Sequence, residues 1–361
     1  MKRILFVLIM LICISGAAEE ETLSFDDMQR TLDEAGVQTD IKAVFCSLLN
    51  GEIYADADAI LERLYNKLLD EAGKVSGFLS KTAAFVFLGA LSKKIAPEGR
   101  GGKTFAFLVN IAVFTLLFNL SESVVSSSLR SIGYIGLLAD RLTPVLTALI
   151  VLMGGTRSAA LITPMGAFAS GTISNFLIKG GGMLTGALSA LTVCDALGGV
   201  RLTRLRELVF SLFKWLSGAC LGVFLALMTT GGLIAGAYDG TFLKGAKYLA
   251  GSLIPIVGSE IAGRMDSLVS GAQLVRNAVG VTGLAALASL SIGPALSLIA
   301  SAWGLKLISA LAECAADEEV MKLLDGISKV FMCVLSLVAS ACAMIIILIS
   351  ATIGMLMKFS G

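Results

Sequence analysis

The sequence contains no histidine, and charged residues make up only 15% of its 361 positions. Histidine is the usual general base near neutral pH and the commonest metal ligand, so its absence argues against most hydrolytic and metal-dependent enzymes. A typical soluble domain carries about 25% charged residues. The shortage of charge, together with 56% hydrophobic residues, indicates an integral membrane protein.

Two further signatures of chemistry are missing. The seven cysteines include no Cys-x-x-Cys pair, and Cys46 stands alone in the N-terminal region, so that region closes no internal disulfide. The stretch 100–104 ends like a phosphate-binding loop, but Pro97 occupies the position where that loop requires glycine. The sequence therefore predicts no enzymatic activity and no cofactor.

The N-terminal region has its own organisation. Residues 1–18 show the layout of a cleavable signal peptide: two basic residues, a short apolar run and small residues before Glu19. The alternative is a short first membrane anchor. Residues 19–75 carry 14 acidic and 5 basic side chains. We predict a small, acidic, helical extracytoplasmic domain over 19–76 that packs against the membrane part or a partner.

The rest of the chain, 77–361, reads as a polytopic transmembrane domain of an all-α protein. We predict about eight to nine spans, some of them broken or half-crossing. The apolar segments lie at roughly 77–92, 105–120, 132–153, 159–178, 183–198, 208–236, 278–303 and 330–357.

Charge predicts the orientation of these spans. The loops 93–104 and 199–207 are rich in basic residues, which favours the cytoplasmic side. The segment 304–329 is net acidic and predicts the outside, together with residues 19–76. This arrangement requires the chain to cross or half-cross the membrane between 248 and 277, a part that could instead lie flat at the interface.

The segment 247–284 is the strongest candidate for function. We predict a helix break near 255–258, because proline removes a backbone donor and glycine lowers helix propensity, and a second break at Gly280 and Gly283. The amphipathic helix between them faces either a pore or partner, or the membrane interface. Its candidate residues are Pro255, Gly258, Glu260, Arg264, Asp266, Arg276 and Asn277.

A second candidate lies at Asp140, Arg141 and Pro144, inside an apolar run. Charges at such depth face a bundle interior, a partner or water, so they either line a pathway or serve structure. The sequence around Pro144 weakly repeats around Pro255. Broken helices at matching places are typical of transporters with inverted repeats, so a secondary transporter with its substrate site at the broken helices is the alternative function.

Small residues suggest close helix packing. Gly182 and Gly186, Gly218 and Gly222, and Gly232 and Gly236 form three Gly-x3-Gly patterns. We predict that they bring helices together within the bundle, or form oligomer contacts.

Specific residues in 247–284 resemble a known family, the stage III sporulation protein AE family of endospore formers. The matching residues are Lys247, Tyr248, Gly251, Ile254 to Gly258, Asp266 and Leu274 to Gly280. Gly154-Gly155, Ser158-Ala159 and Pro164 are similar to a second stretch of that family.

The resemblance implies a multi-pass membrane protein of the mother-cell (outer forespore) membrane. It implies a non-enzymatic part of the sporulation channel to the forespore, a secretion-like complex needed for late forespore development. The implied partners are other products of the same operon, including a cytoplasmic ATPase and ring-forming membrane proteins, and membrane lipid but no nucleic acid. The resemblance assigns no catalytic residue.

Overall fold

The computed structural model describes residues 26–37, 39–49, 53–95, 100–152, 155–197, 202–253, 258–313 and 318–357. It describes only the backbone for 229–277 and for some other residues, several of them within 47–64, 92–110 and 152–170. All regular structure in this part of the chain is helical, as predicted. The helices are α1 (26–34), α2 (Ile41–Leu49), α3 (Ile53–Ile95), α4 (Arg100–Leu152), α5 (Thr156–Ala167), a π-helical stretch (Phe168–Ile173), α6 (Ser174–Leu197), α7 (Thr203–Leu253), α8 (Gly258–Ala312) and α9 (Glu318–Met357).

The two N-terminal helices pack onto the rest of the protein. Met28 and Leu32 of α1 and Ile41 of α2 are buried in the same hydrophobic cluster as the long helices. The carboxylate of Asp40 begins α2 by accepting hydrogen bonds from the amides of residues 42 and 43, at 3.0 and 3.1 Å. The prediction that this region packs against the membrane part is confirmed. The predicted domain boundary at residue 76 falls inside α3, which is continuous there.

Six helices in the described residues are long and apolar enough to cross a membrane: Leu69–Leu91, Ile111–Val151, Ile162–Ala196, Thr203–Met228, Ala278–Ala312 and Glu318–Ile353. The predicted apolar segments 105–120 and 132–153 share the single helix α4. The polar stretch between them is also helical, and its serines satisfy their hydroxyls on carbonyl groups of the same helix, for example Ser128 on Val124 at 2.7 Å. These two apolar segments, predicted to be separate, therefore belong to one continuous helix. The number of times the chain crosses the membrane stays a prediction.

Helix α9 lies at the centre of the bundle. It packs against α4, α6, α7 and α8, while α3 lies outside in the groove between α4 and α8. Phe331, Val334 and Leu337 of α9 have no exposed surface. The part of α9 from 330 to 353 contains no charged residue, and it fits this position because it has no charged face to present to water.

Close contacts fix the relative directions of the helices. Glu71 and Leu79 of α3 contact Ser297 and Gly304 of α8, so α3 and α8 are parallel. Residues of α9 meet α8 in the opposite sense, since Ser328 donates to the carbonyl of Ala302 at 2.9 Å while Ile353 contacts Gly280. The pairs Gly181 with Leu337 and Thr192 with Gly326 make α6 antiparallel to α9.

This arrangement corrects one part of the predicted topology. Thr192, close to the 199–207 loop, contacts Gly326, which belongs to the segment 304–329. Both segments therefore lie at the same end of the bundle, and the prediction that they occupy opposite faces of the membrane is wrong. The net acidity of 304–329 misled the prediction because orientation depends on the number of Lys and Arg residues, not on net charge.

The glycine patterns also need correction. A Cβ atom added at Gly186, Gly218 or Gly222 would meet nothing within 4 Å, so these glycines do not bring helices together. The close approaches occur at other glycines: at Gly181 and Gly326, an added Cβ would overlap a side chain of the neighbouring helix. Counting spacings could not distinguish the two groups because the chain has 39 glycines.

Candidate functional site: a polar side and an apolar side of the bundle

Arg141 is the best-placed of the predicted charged residues. It is half-buried on α4, and its guanidinium donates hydrogen bonds to the backbone carbonyl of Asp27 and to the hydroxyl of Thr31, both on α1. Asp140 beside it is exposed. Arg141 therefore joins the N-terminal helix to the bundle. Of the two predicted roles, the geometry of Arg141 favours structure.

Pro144 does not break its helix. Helix α4 runs from Arg100 to Leu152 with Pro144 inside it. The neighbouring threonines bond within the helix, with Thr143 donating to the carbonyl of Ala139 at 2.6 Å and Thr147 to that of Thr143 at 2.7 Å. A transporter with two matching halves would have one broken helix at Pro144 and another at Pro255. The helix at Pro144 is not broken.

The segment 247–284 is described only in part. Helix α7 ends at Leu253 and α8 begins at Gly258, while Pro255 lies outside the described residues. Helix α8 also includes the candidates Glu260, Arg264, Asp266, Arg276 and Asn277, whose side chains are not among the described ones. Their roles therefore stay predictions.

The second predicted break, at Gly280 and Gly283, is wrong. Helix α8 continues through both residues. A Cβ at Gly280 would come within 2.8 Å of Ile353, and one at Gly283 within 3.1 Å of Ile349. The two glycines let α8 and α9 approach closely, which is an alternative use of glycine in a membrane helix.

A polar cleft of about 920 Å³ opens between the N-terminal helices, α3, α4 and α8. The side chain of Glu71 accepts a hydrogen bond from Ser297 at 2.7 Å and pairs with Lys74 at 2.8 Å. Other lining residues with polar side chains are Glu34, Thr39, Asn66, Asp70, Ser127, Arg130, Ser131, Tyr134 and Ser289. Charged and hydroxyl groups on four helices and on the α1–α2 connection make this cleft fit for water or a polar solute.

Hydrogen bonds across the cleft hold its walls together. Tyr134 of α4 donates to the carbonyl of Glu34 at 3.1 Å, and the hydroxyls of Thr39 and Ser289 lie 3.3 Å apart. Ser131 of α4 donates to the carbonyl of Leu290 at 2.8 Å. Sequence reasoning missed this site. Its only signal was the recurrence of serine in the otherwise apolar runs of α4 and α8.

The polar side of the bundle consists of α1, α2, the first half of α3 and the faces of α4 and α8 that line the cleft. Its exposed side chains include Asp33, Glu34, Asp40, Glu62, Asn66 and Asp70. The apolar side consists of the outward faces of α6 and α7. Its exposed side chains include Phe176, Met183, Trp215, Val223, Leu225 and Leu227.

An apolar groove of about 480 Å³ lies between α4 and α6. Phe114 and Phe118 form one wall, and Gly186 contributes to the other. This explains why Gly186 borders open space. Nothing in the structure shows what fills the groove.

A buried ion pair closes the end of the bundle near the 199–207 loop. The carboxylate of Asp195 lies 3.3 Å from the guanidinium of Arg206 and accepts a hydrogen bond from the amide of Leu202 at 2.9 Å. Asp195 is 7% exposed, so the arginine compensates its charge inside the protein. Asp195 thus anchors the start of α7. Among the described residues, no cluster of three or more potential metal ligands occurs.

Comparison with known proteins supports the resemblance seen in the sequence. The chain is 26% identical over 293 residues to stage III sporulation protein AE of Bacillus subtilis (strain 168), covering 80% of this chain and 73% of that protein. No solved structure matches the chain. Residues 39–355 match the family model described as "Stage III sporulation protein AE". With most of its length matched, the chain belongs to the stage III sporulation protein AE family.

Proposed function

We propose that this protein is a non-enzymatic membrane component of the channel between the mother cell and the forespore. Family membership, with the match over residues 39–355, is the observation that carries the proposal. The six apolar helices agree with a protein that acts in a membrane during sporulation. The large polar cleft beside these helices gives a channel component a hydrated surface on which to work.

The proposal includes a location and partners. The protein would reside in the mother-cell membrane around the forespore and assemble with the cytoplasmic ATPase and ring-forming membrane proteins of the same operon. The basic 199–207 loop, next to the Asp195–Arg206 ion pair, is a suitable contact for a cytoplasmic partner because it lies at an end of the bundle.

A secondary transporter is the weaker candidate. That reading depends on broken helices in two matching halves, and α4 is continuous through Pro144. A transporter would also work without the other products of the operon, whereas a channel component would not.

A deletion and complementation experiment in an endospore-forming host tests the proposal. Deleting the gene is expected to block forespore development at a late stage, and the full chain should restore it. Affinity purification of the tagged protein from sporulating cells should recover the operon's ATPase and ring-forming proteins. Normal spore yield in the deletion strain, or a purified protein without these partners, would contradict the proposal.

The same assay tests the candidates on α8. If the first part of α8 faces a pore or partner, Arg264→Glu or Asn277→Leu should abolish sporulation at normal protein level. If it lies at the membrane interface, both changes should be tolerated and Leu268→Asp should be harmful instead. Immunoblots of membrane fractions provide the control for protein level.

A further inference from the structure

The polar and apolar sides of the bundle meet at the same height along its axis. Gly133 of α4 contacts Ile178 of α6, at 3.6 Å for an added Cβ. Tyr134, the next residue, binds the carbonyl of Glu34 on the polar side. Phe176, which precedes Ile178 by about 3 Å along the helix axis, is 53% exposed on the apolar side.

A second contact also places a polar and an apolar surface at one height, closer to the end of the bundle where Gly283 lies against Ile349. Leu142 contacts Gly283, at 3.3 Å for an added Cβ. Arg141, adjacent to Leu142, binds Thr31 of the N-terminal helix, whereas Leu284, adjacent to Gly283, is an exposed apolar residue. Polar and apolar surfaces therefore coincide in height at two independent positions.

The first of these heights lies deep within the apolar part of the bundle. Gly181 contacts Leu337, and α6 and α9 are antiparallel, so Ile178 lies near the height of Ser340. Residues 330–353 of α9 contain no charged residue and extend over about 36 Å, enough to cross the hydrocarbon core of a bilayer. Ser340 is close to the middle of that run.

A bilayer presents the same environment at a given depth all around a protein. Lipid at this depth suits Phe176 and Val223 of the apolar side, but charged side chains such as Glu34 and Glu62 are too costly to expose to hydrocarbon. Polar groups at membrane depth are tolerated where they line a water-filled space or contact protein. The cleft of about 920 Å³ on this side could hold about thirty waters.

We propose that the polar side of the bundle faces water at the depth where the apolar side faces lipid, and so forms one wall of an aqueous passage through the membrane. This inference rests on the proposed function, since it identifies which surface of the channel component meets the hydrated space. Arg141 and Tyr134 are then positioning residues that hold the N-terminal helix against this wall.

Thiol accessibility in the intact membrane tests the proposal. The full chain, with its seven native cysteines replaced by alanine, would receive single cysteines by Glu62→Cys or Asn66→Cys on the polar side and by Phe176→Cys or Val223→Cys on the apolar side. The probe is a charged methanethiosulfonate, which reacts with thiols in water. All four variants should react after solubilisation in detergent, which controls for folding around the new cysteine.

The cysteines of the polar side are expected to react at least tenfold faster in the membrane than those of the apolar side. A smaller ratio overturns the proposal, whether both sides react quickly because this height lies outside the bilayer or both react slowly because lipid or protein covers them. Sporulation by the cysteine-free chain is scored separately. If affinity purification failed to recover the partner proteins while the tenfold ratio of thiol reactivity was retained, the proposed function would be overturned. The proposal that the polar side faces water would still hold.

Discussion

The helices on the two sides of the bundle are held in place by different interactions. On the polar side, hydrogen bonds join helices that are distant in the chain, such as Arg141 of α4 to Thr31 of α1 and Ser297 of α8 to Glu71 of α3. The apolar side is attached through close packing, with Gly181 and Gly326 allowing α6 to approach α9. Lipid gives apolar surfaces no drive to associate, so on a side that faces lipid the helices must be held by shape complementarity. On the polar side, if it faces water as proposed above, the hydrophobic effect adds to the hydrogen bonds.

The largest expected effect comes from placing the same charge on each side. Val223→Asp introduces a carboxylate where the side chain is 52% exposed on the apolar side, at a cost of about 2.5–3.5 kcal/mol at the centre of a bilayer. We expect membrane accumulation and spore formation to be lost. Asn66→Asp, the matched control on the polar side, should leave membrane accumulation unchanged. Immunoblots of membrane fractions and spore counts measure the outcome, and equal effects of the two changes would erase the distinction between the sides.

The next effect concerns the attachment of the N-terminal helix. Arg141→Ala removes two hydrogen bonds from a charged donor, each worth about 1.5–3 kcal/mol, and should release α1 from the bundle. Limited proteolysis of the purified protein should then cleave within residues 38–52 at a much higher rate. Arg130→Ala is the control, since Arg130 is exposed on the same helix and bonds to the carbonyl of Ser126 in its own helix. Equal protease resistance of the two variants would show that apolar contacts alone hold α1.

A pair of glycine substitutions separates close packing from helix propensity. Gly326→Ala places a methyl group against the buried Thr192, and overpacking of this kind costs about 1–3 kcal/mol. Gly186→Ala fills open space in the apolar groove and should stabilise its helix by about 0.5–1 kcal/mol. Thermal unfolding in detergent should therefore shift in opposite directions. A stabilised Gly326→Ala variant would mean that α6 and α9 are not tightly packed at this position.

The smallest effect tests a single hydrogen bond of the polar side. Ser297→Ala removes the bond to Glu71 and should lower the free energy of unfolding by about 0.5–1.5 kcal/mol. Ser76→Ala on α3 removes a bond from an exposed serine to the carbonyl of Gly73 in its own helix and should have less effect. Chemical denaturation of the two variants measures the difference. A larger loss for Ser76→Ala would indicate that the walls of the cleft are held elsewhere.

Much of the fold was predictable because hydrophobicity and helix propensity are local properties. The all-α class, the apolar segments and the packing of the N-terminal helices against the bundle follow from the composition and from amphipathic patterns. The joining of the segments 105–120 and 132–153 was not predictable from hydropathy, since serine between them satisfies its hydroxyl within α4. A polar stretch between two apolar segments looks the same in a sequence whether it forms a loop or a helix.

The candidate site was predictable only in part. Charges at Asp140 and Arg141 stood out inside an apolar run, but the hydroxyl that Arg141 binds lies 110 residues away on α1, a distance that no local pattern reveals. The polar cleft was missed because serine and tyrosine in apolar helices are common and usually bond to their own helix. Pro144 was given too much weight, since neighbouring helices in a membrane bundle can support a helix through proline.

By itself, the sequence determined that this protein is helical, that it belongs in a membrane and which family it joins, because composition and a specific run of residues carry that information. The tertiary structure alone decided which glycines meet another helix, which end of the bundle holds the 304–329 segment and what Arg141 binds. It also placed the polar side and the apolar side at the same height along the axis of the bundle. Such facts depend on the register between helices distant in the chain, and register is set by contacts that form only when those helices pack.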